Sequence, residues 1–239
     1  MPIDPYQLTL DAPGKNALST PLMRRIIDEV RAAAGRPLLI VGAGDVFSAG
    51  LNLKEVAELD RQGMEAFLGL LDDVMDTLYG HLGPTVACVN GHAIAGGCVV
   101  ALCCDVRIAA DDPAARIGLN EVALGLEFPP KILELVRRRV PAHSFDRVVL
   151  EAGLYDPHTA LSLGLVDEVA RDVHAAARSC LARLAAHPTA TYEATKRTLR
   201  AGALDLSAEQ RRYFREQVVP AWCAPETKAR VRAALAPRR

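Results

Sequence analysis

Glu121 sits at the centre of ARIGLNEVALGLEFPP (Ala115 to Pro130), a segment made mostly of Ile, Leu, Val, Ala and Gly. A carboxylate is costly to bury unless a partner neutralises it or a reaction uses it. The nearest cations in sequence, Arg116 and Lys131, stand at the edges of the segment. An unpaired carboxyl in an apolar pocket has a raised pKa, which suits it to proton transfer near neutral pH. Two glycine-containing loops, DVFSAGLNLKEV and VNGHAIAGGCVVAL, complete the set of residues that could do chemistry. Each follows a strand-like run and leads toward a helix, so each can present free backbone N–H groups. Two such groups aimed at one carbonyl form an oxyanion hole, each donor stabilising a transition state by roughly 3–4 kcal/mol. Either loop alone reads as a tight turn.

Other motifs carry less. PLLIVGAGDVFSAG starts like a dinucleotide-binding turn, but Phe47 occupies the third glycine position and no helix clearly follows. Val46 breaks the G-x-S-x-G pattern of a nucleophile elbow, leaving Ser48 as a turn residue. His92 reads as a loop or capping histidine before it reads as a base, and the other five histidines lack partners at metal-ligand spacing. VRRRV (Val136 to Val140) reads as a solvated helix face.

The elements that must position these residues alternate. YQLTL, RPLLIVG, PTVACVNG and DVRIAA read as strands. STPLMRRIIDEVRAAAG, MEAFLGLLDDVMDTLYGHL and GGCVVALCC read as helices, the first capped by Ser19 or Thr20 with Pro21 in its opening turn. Alternation of this kind predicts an α/β layered core. Beyond about residue 140 only GLVDEVA still looks extended, and the tail is helix after helix. The boundary between core and tail falls around 170–190, placed at 1–180 for the core and 181–239 for the tail.

The chain has 239 residues, half of them hydrophobic (50%), enough for a sizeable core. A net charge of −1 offers no overall field for nucleic acid or an anionic membrane. The longest apolar run, AIAGGCVVALCC, falls short of the roughly 18 residues that suggest a membrane span. No secretory signal opens the sequence, and six cysteines without a CxxC pair suit a reducing cytosol, so a cytoplasmic location is expected.

Taken in order, the motifs resemble the crotonase superfamily, the enoyl-CoA hydratases and isomerases. KNALS resembles the family's first-loop motif, FSAGLNLKEV its F-x-A-G-x-D-[LI] loop, VNGHAIAGGC its N-G-x-A-x-G-G-G loop, and ALSLGLVDEV the segment after the core. The resemblance implies an α/β spiral of ββα units with a C-terminal helical oligomerisation region, making a homotrimer or hexamer. It implies an acyl-CoA substrate and no separate cofactor, since coenzyme A is part of the substrate. The N–H groups of Leu51 and Gly96 would grip the thioester carbonyl. Ala49, Asn52 and Leu53 would line the adenine site, and Lys54, with Lys15, would meet the CoA phosphates.

Three departures shape the expected reaction. Ala95 replaces the first glycine of the family's triplet, and Asn52 its usual Asp. In hydrating members the residue after the cysteine of GGC is a glutamate that holds water; here it is Val99, whereas GLNEV matches the second family glutamate at Glu121. One acid without a water site resembles the Δ3,Δ2-enoyl-CoA isomerases, in which a single Glu moves a proton from C2 to C4. Glu127 lies two positions before Pro129, where the dienoyl-CoA isomerases carry a second acid. The expected activity is conversion of 3-enoyl-CoA to trans-2-enoyl-CoA. The alternatives are another crotonase reaction, such as weak hydration or hydrolysis, or acyl-CoA binding without turnover.

Overall fold

The computed structural model describes residues 5–236. Its strands are β1 (Tyr6–Leu10), β2 (Leu38–Gly42), β3 (Val46–Ser48), β4 (Thr85–Val89), β5 (His92–Ile94), β6 (Val106–Ala110), β7 (Ile117–Gly118) and β8 (Glu168–Ala170). They form two parallel sheets, one of five strands in the order β1-β2-β4-β6-β8 and one of three in the order β3-β5-β7. Within each sheet the spatial order follows the chain, so each successive unit adds one strand beside the last. β2 and β4 are buried at every position, as expected of parallel strands covered on both faces.

The helices of the core are α1 (Pro13–Asn16), α2 (Thr20–Ala33), α3 (Leu53–Glu58), α4 (Arg61–Tyr79), α5 (Gly96–Leu102), α6 (Pro130–Arg139), α7 (Ala142–Leu150) and α8 (Pro157–Ser162). α1 is a kinked turn rather than a true helix, because Gly14 and Lys15 take positive φ. The tail contains α9 (Val173–Ala185), α10 (Thr189–Arg200), α11 (Ala208–Tyr213), a π-helical turn (Phe214–Val218), α12 (Val219–Cys223) and α13 (Pro225–Leu235). Ser19 caps α2 as expected, accepting from the Leu22 N–H. The anticipated division at residue 180 falls inside α9, whose Val173, Ala177, Cys180 and Leu181 pack on Leu39, Val41, Val86, Cys88 and Ile108 of the five-stranded sheet.

The tail is fastened to the core. Lys196, 5% exposed, donates to Asp105 Oδ2 (2.7 Å) and to the Gly83 carbonyl (2.6 Å), and Tyr192 and Arg200 converge on the same carboxylate. Val218, Val219 and Trp222, in the tail expected to serve as the oligomerisation region, are fully buried within the chain itself. They pack in the same core cluster as α4. The three-residue strands β3 and β5 lie inside the segments that read as loops, because two or three residues are too few to display a period.

Candidate active site

The three-stranded sheet brings the chemistry-bearing residues together. β3 ends at Ser48, β5 at Ile94 and β7 at Gly118, and Leu51, Gly96 and Glu121 follow their strands by two or three residues. Because the strands are parallel and adjacent, all three residues emerge at the same edge, the carboxyl ends where open α/β sheets bind ligands. Residues 45 or more apart in the chain, such as Leu51 and Gly96, thereby become neighbours.

The first two loops touch through backbone. A methyl placed on Gly50 would lie 2.6 Å from the Ile94 carbonyl and 3.3 Å from the Gly96 nitrogen, and one on Gly97 would lie 2.5 Å from the Ser48 carbonyl. Gly50 also takes φ +91°, a conformation that side chains oppose. Ala95, at φ 49° and ψ −120°, holds a similarly unusual conformation without being glycine. Strain of this kind persists where the surroundings impose it. Here the Ala95 N–H donates to the Gly118 carbonyl (2.8 Å) and its carbonyl accepts from Val99 (3.0 Å). The amides flanking Leu51 are engaged, Leu18 donating to Gly50 (2.7 Å) and Asn52 to Leu18 (3.0 Å). Neither the Leu51 nor the Gly96 N–H has an acceptor among the described residues. Free donors at this edge can receive an oxygen that gains negative charge.

Two side chains missed by the sequence reading hold the first loop. Ser48, fully buried, donates to the Asn16 carbonyl (2.8 Å) and accepts from the Gly50 N–H (3.2 Å). Asn16 Nδ2 donates to the Val46 (2.7 Å) and Ala43 (2.9 Å) carbonyls. A lone serine in a turn gives no sequence sign of such a role. The Lys15 carbonyl accepts from the Ala49 N–H (3.0 Å), so the exposed Lys15 stands beside this loop. Asn52 caps α3, accepting from Lys54 (3.2 Å) and Glu55 (3.3 Å), and so sets Leu53 and Lys54 in its first turn. An Asp would cap in the same way.

Glu121 answers the question its segment raises. It is 4% exposed, and its Oε2 has no hydrogen-bond partner among the described residues. Burial pushes the carboxyl up to about 7, against the lowering effect of a hydrogen bond from its own backbone N–H. The neighbouring Cys98 thiol is pushed up to about 12, by burial first and then by Glu121, so it stays neutral. Val99 is fully buried in the core. The other side chains turn elsewhere. The Glu127 carboxylate accepts from the Tyr213 hydroxyl. His92 Nδ1 accepts from the Arg116 N–H (2.9 Å) at the start of β5, the end away from the site. Arg139, expected on a solvated face, instead donates to the carbonyls of Leu102 (3.0 Å), Cys104 (2.6 Å) and Asp105 (3.0 Å) at the end of α5.

Residues 6–229 match the family model described as enoyl-CoA hydratase/isomerase. Mouse mitochondrial enoyl-CoA delta isomerase 1 is 33% identical over 168 residues, 70% of this chain and 58% of the relative. The chain therefore spans less than two thirds of that relative's length. A probable enoyl-CoA hydratase of Mycolicibacterium paratuberculosis is 31% identical over 217 residues, covering 86% of this chain and 84% of the relative. The crystal structure of human mitochondrial delta3-delta2-enoyl-CoA isomerase superposes with a TM-score of 0.90 at 26% identity, over 96% of this chain and 92% of that one.

Proposed function

This chain belongs to the enoyl-CoA hydratase/isomerase family, and we propose that it isomerises 3-enoyl-CoA to trans-2-enoyl-CoA. The observation that carries this reading is a buried carboxylate, Glu121, whose Oε2 has no hydrogen-bond partner among the described residues, at a sheet edge shared with two N–H groups free among those residues, with valine at position 99. The Leu51 and Gly96 N–H groups hold the thioester oxygen. Glu121 takes a proton from C2, and the electron pair of that C–H bond delocalises into the thioester as an enolate. Glu121 then returns the same proton to C4 while the double bond moves from C3–C4 to C2–C3, so atoms and charge balance with no water consumed. Hydration needs a water held and activated, usually by a second carboxylate, and Val99 offers none.

Ala49, Asn52 and Leu53 line the adenine end, with Lys54 and Lys15 toward the phosphates. The match to the mouse and human isomerases supports the reaction; the match to hydratases supports the acyl-CoA substrate class. Proton NMR of a 3-enoyl-CoA with the protein in D2O tests the proposal. A trans-2-enoyl product carries it, a 3-hydroxyacyl product moves the assignment to hydration, and a bound but unchanged thioester refutes catalysis.

A further inference from the structure

The turn that follows Glu121 is exposed, between the buried Leu119 on one side and Leu126 and Phe128 on the other. It contains the 3-10 turn Val122–Leu124, none of which is buried, and Val122 is 45% exposed. Local bonds close it: Leu124 (3.0 Å) and Leu126 (2.9 Å) donate to the Glu121 carbonyl, and Gly125 at φ +67° donates to Val122 (3.0 Å). Because Oε2 of Glu121 has no partner among the described residues, no hydrogen bond from them at that oxygen fixes its direction, and the backbone turn must do so. Exposed turns with little buried apolar surface open at low free energy.

The anchors come from the C-terminal helices of the same chain. Trp222, 1% exposed, donates Nε1–H to the Glu127 carbonyl at 2.7 Å, and the Tyr213 hydroxyl donates to the Glu127 carboxylate. The Arg230 guanidinium of α13 lies against Gly125, so close that a methyl there would sit 2.4 Å from Nε. α13 also reaches the other side of the site: Lys228 donates to the Leu59 carbonyl (2.6 Å) and Arg232 to Ala57 (3.2 Å), on and just after α3, the helix that follows Leu51. The tail thus spans from the C-terminal end of α3 to the turn that follows Glu121.

We propose that Glu127 is a positioning residue, gripped by Tyr213 and Trp222 so that the C-terminal helices set the turn that aims Glu121. The inference rests on Glu121 being the base of the proposed isomerisation. Tyr213→Phe removes one hydroxyl at a site 44% exposed, so the fold should survive. Loss of one such hydrogen bond, typically about 0.5–1.5 kcal/mol, corresponds to a kcat lower by roughly 2- to 10-fold, with KM within about two-fold. Glu127→Ala should behave alike, Glu127→Gln, which keeps an acceptor, should restore most of the rate, and Tyr213→Phe with Glu127→Ala should be no slower than either alone. Amide hydrogen exchange of a peptide covering 119–128 should quicken by a similar factor in Tyr213→Phe while the rest of the tail keeps its protection. Unchanged kcat with unchanged exchange overturns the proposal, as does a rate loss shared equally by Glu127→Gln. A wild type that does not isomerise refutes the function alone; the exchange of 119–128 then still decides whether the tail holds the turn.

Discussion

Glu121→Gln should do two opposite things at once: slow the reaction and stabilise the protein above neutral pH. The substitution keeps the shape of the side chain and removes the proton acceptor, and loss of a general base costs about 10²–10⁴ in rate. The stability effect follows from burial. The Glu121 carboxyl rises from 4.5 to about 7 in the folded chain. At about 1.4 kcal/mol for each tenfold change in proton affinity, that rise is worth about 3 kcal/mol. A raised acid binds its proton more tightly folded than unfolded, so its contribution is fully present below pH 4.5 and is lost as pH climbs through about 7. Wild type should therefore weaken between pH 5 and pH 8 by about 2–3 kcal/mol more than the Gln variant does. Any fixed penalty of burying the amide cancels in that difference, as does every other titrating group. For a chain of this size the differential shift in Tm is roughly 5–10 °C. Thermal melts of both proteins at the two pH values, with isomerase assays alongside, measure it. Parallel pH dependences would show that the carboxylate is not buried in the free protein; near-normal turnover would show that it is not the base.

Ser48→Ala should destabilise the chain by about 1–3 kcal/mol and lower kcat, because it leaves the Asn16 carbonyl and Gly50 N–H unpaired behind the first loop; a melt and a rate decide both. Ala95→Gly should raise Tm by a few degrees with activity kept, since relief of a φ of 49° outweighs the entropy that glycine adds; a lower Tm would refute the strain. Val99→Glu should be destabilised by several kcal/mol with little gain in hydration of crotonyl-CoA, because a charge replaces a fully buried apolar side chain; efficient hydration by this variant or by wild type would sink the single-acid account. Light scattering should find a trimer or hexamer, with exposed Leu150 (68%) and Leu199 (75%) as candidates for cover between copies; a persistent monomer would count against assembly.

The parts of the fold with a period were legible in sequence. Four strands of the larger sheet and the helices α2, α4 and α5 are long or apolar enough to show one, the fifth strand lies within GLVDEVA, which read as extended, and the Glu121 segment showed itself by isolation among apolar residues. What escaped had no local signature. β3, β5 and β7 have three residues or fewer, and pairing between distant segments makes them strands. Ser48 and Arg139 matter through carbonyls 32 to 37 residues away, and no pattern within a window contains such partners. The tail was legible as helices, but a sequence cannot say which surface covers their apolar positions. Trp222 and Val218 found the chain's own core.

The monotonic order of the two sheets would divide the work of the proposed site by turn of the chain. The first turn supplies the amide of Leu51, the second the amide of Gly96, and the third the carboxylate of Glu121. Amides belong to the backbone, so the grip on a carbonyl oxygen survives any side chain that tolerates the local φ and ψ. The acid belongs to one replaceable side chain on the turn added last. In the proposed mechanism grip and chemistry can therefore vary separately: an exchange at 121 would alter which bond is made or broken, and the thioester would still be held. The same ordering means that a growing chain has no complete site until its third turn is laid down. Each shorter product would end in an open parallel edge, ready to pair with the next strand or with a neighbour.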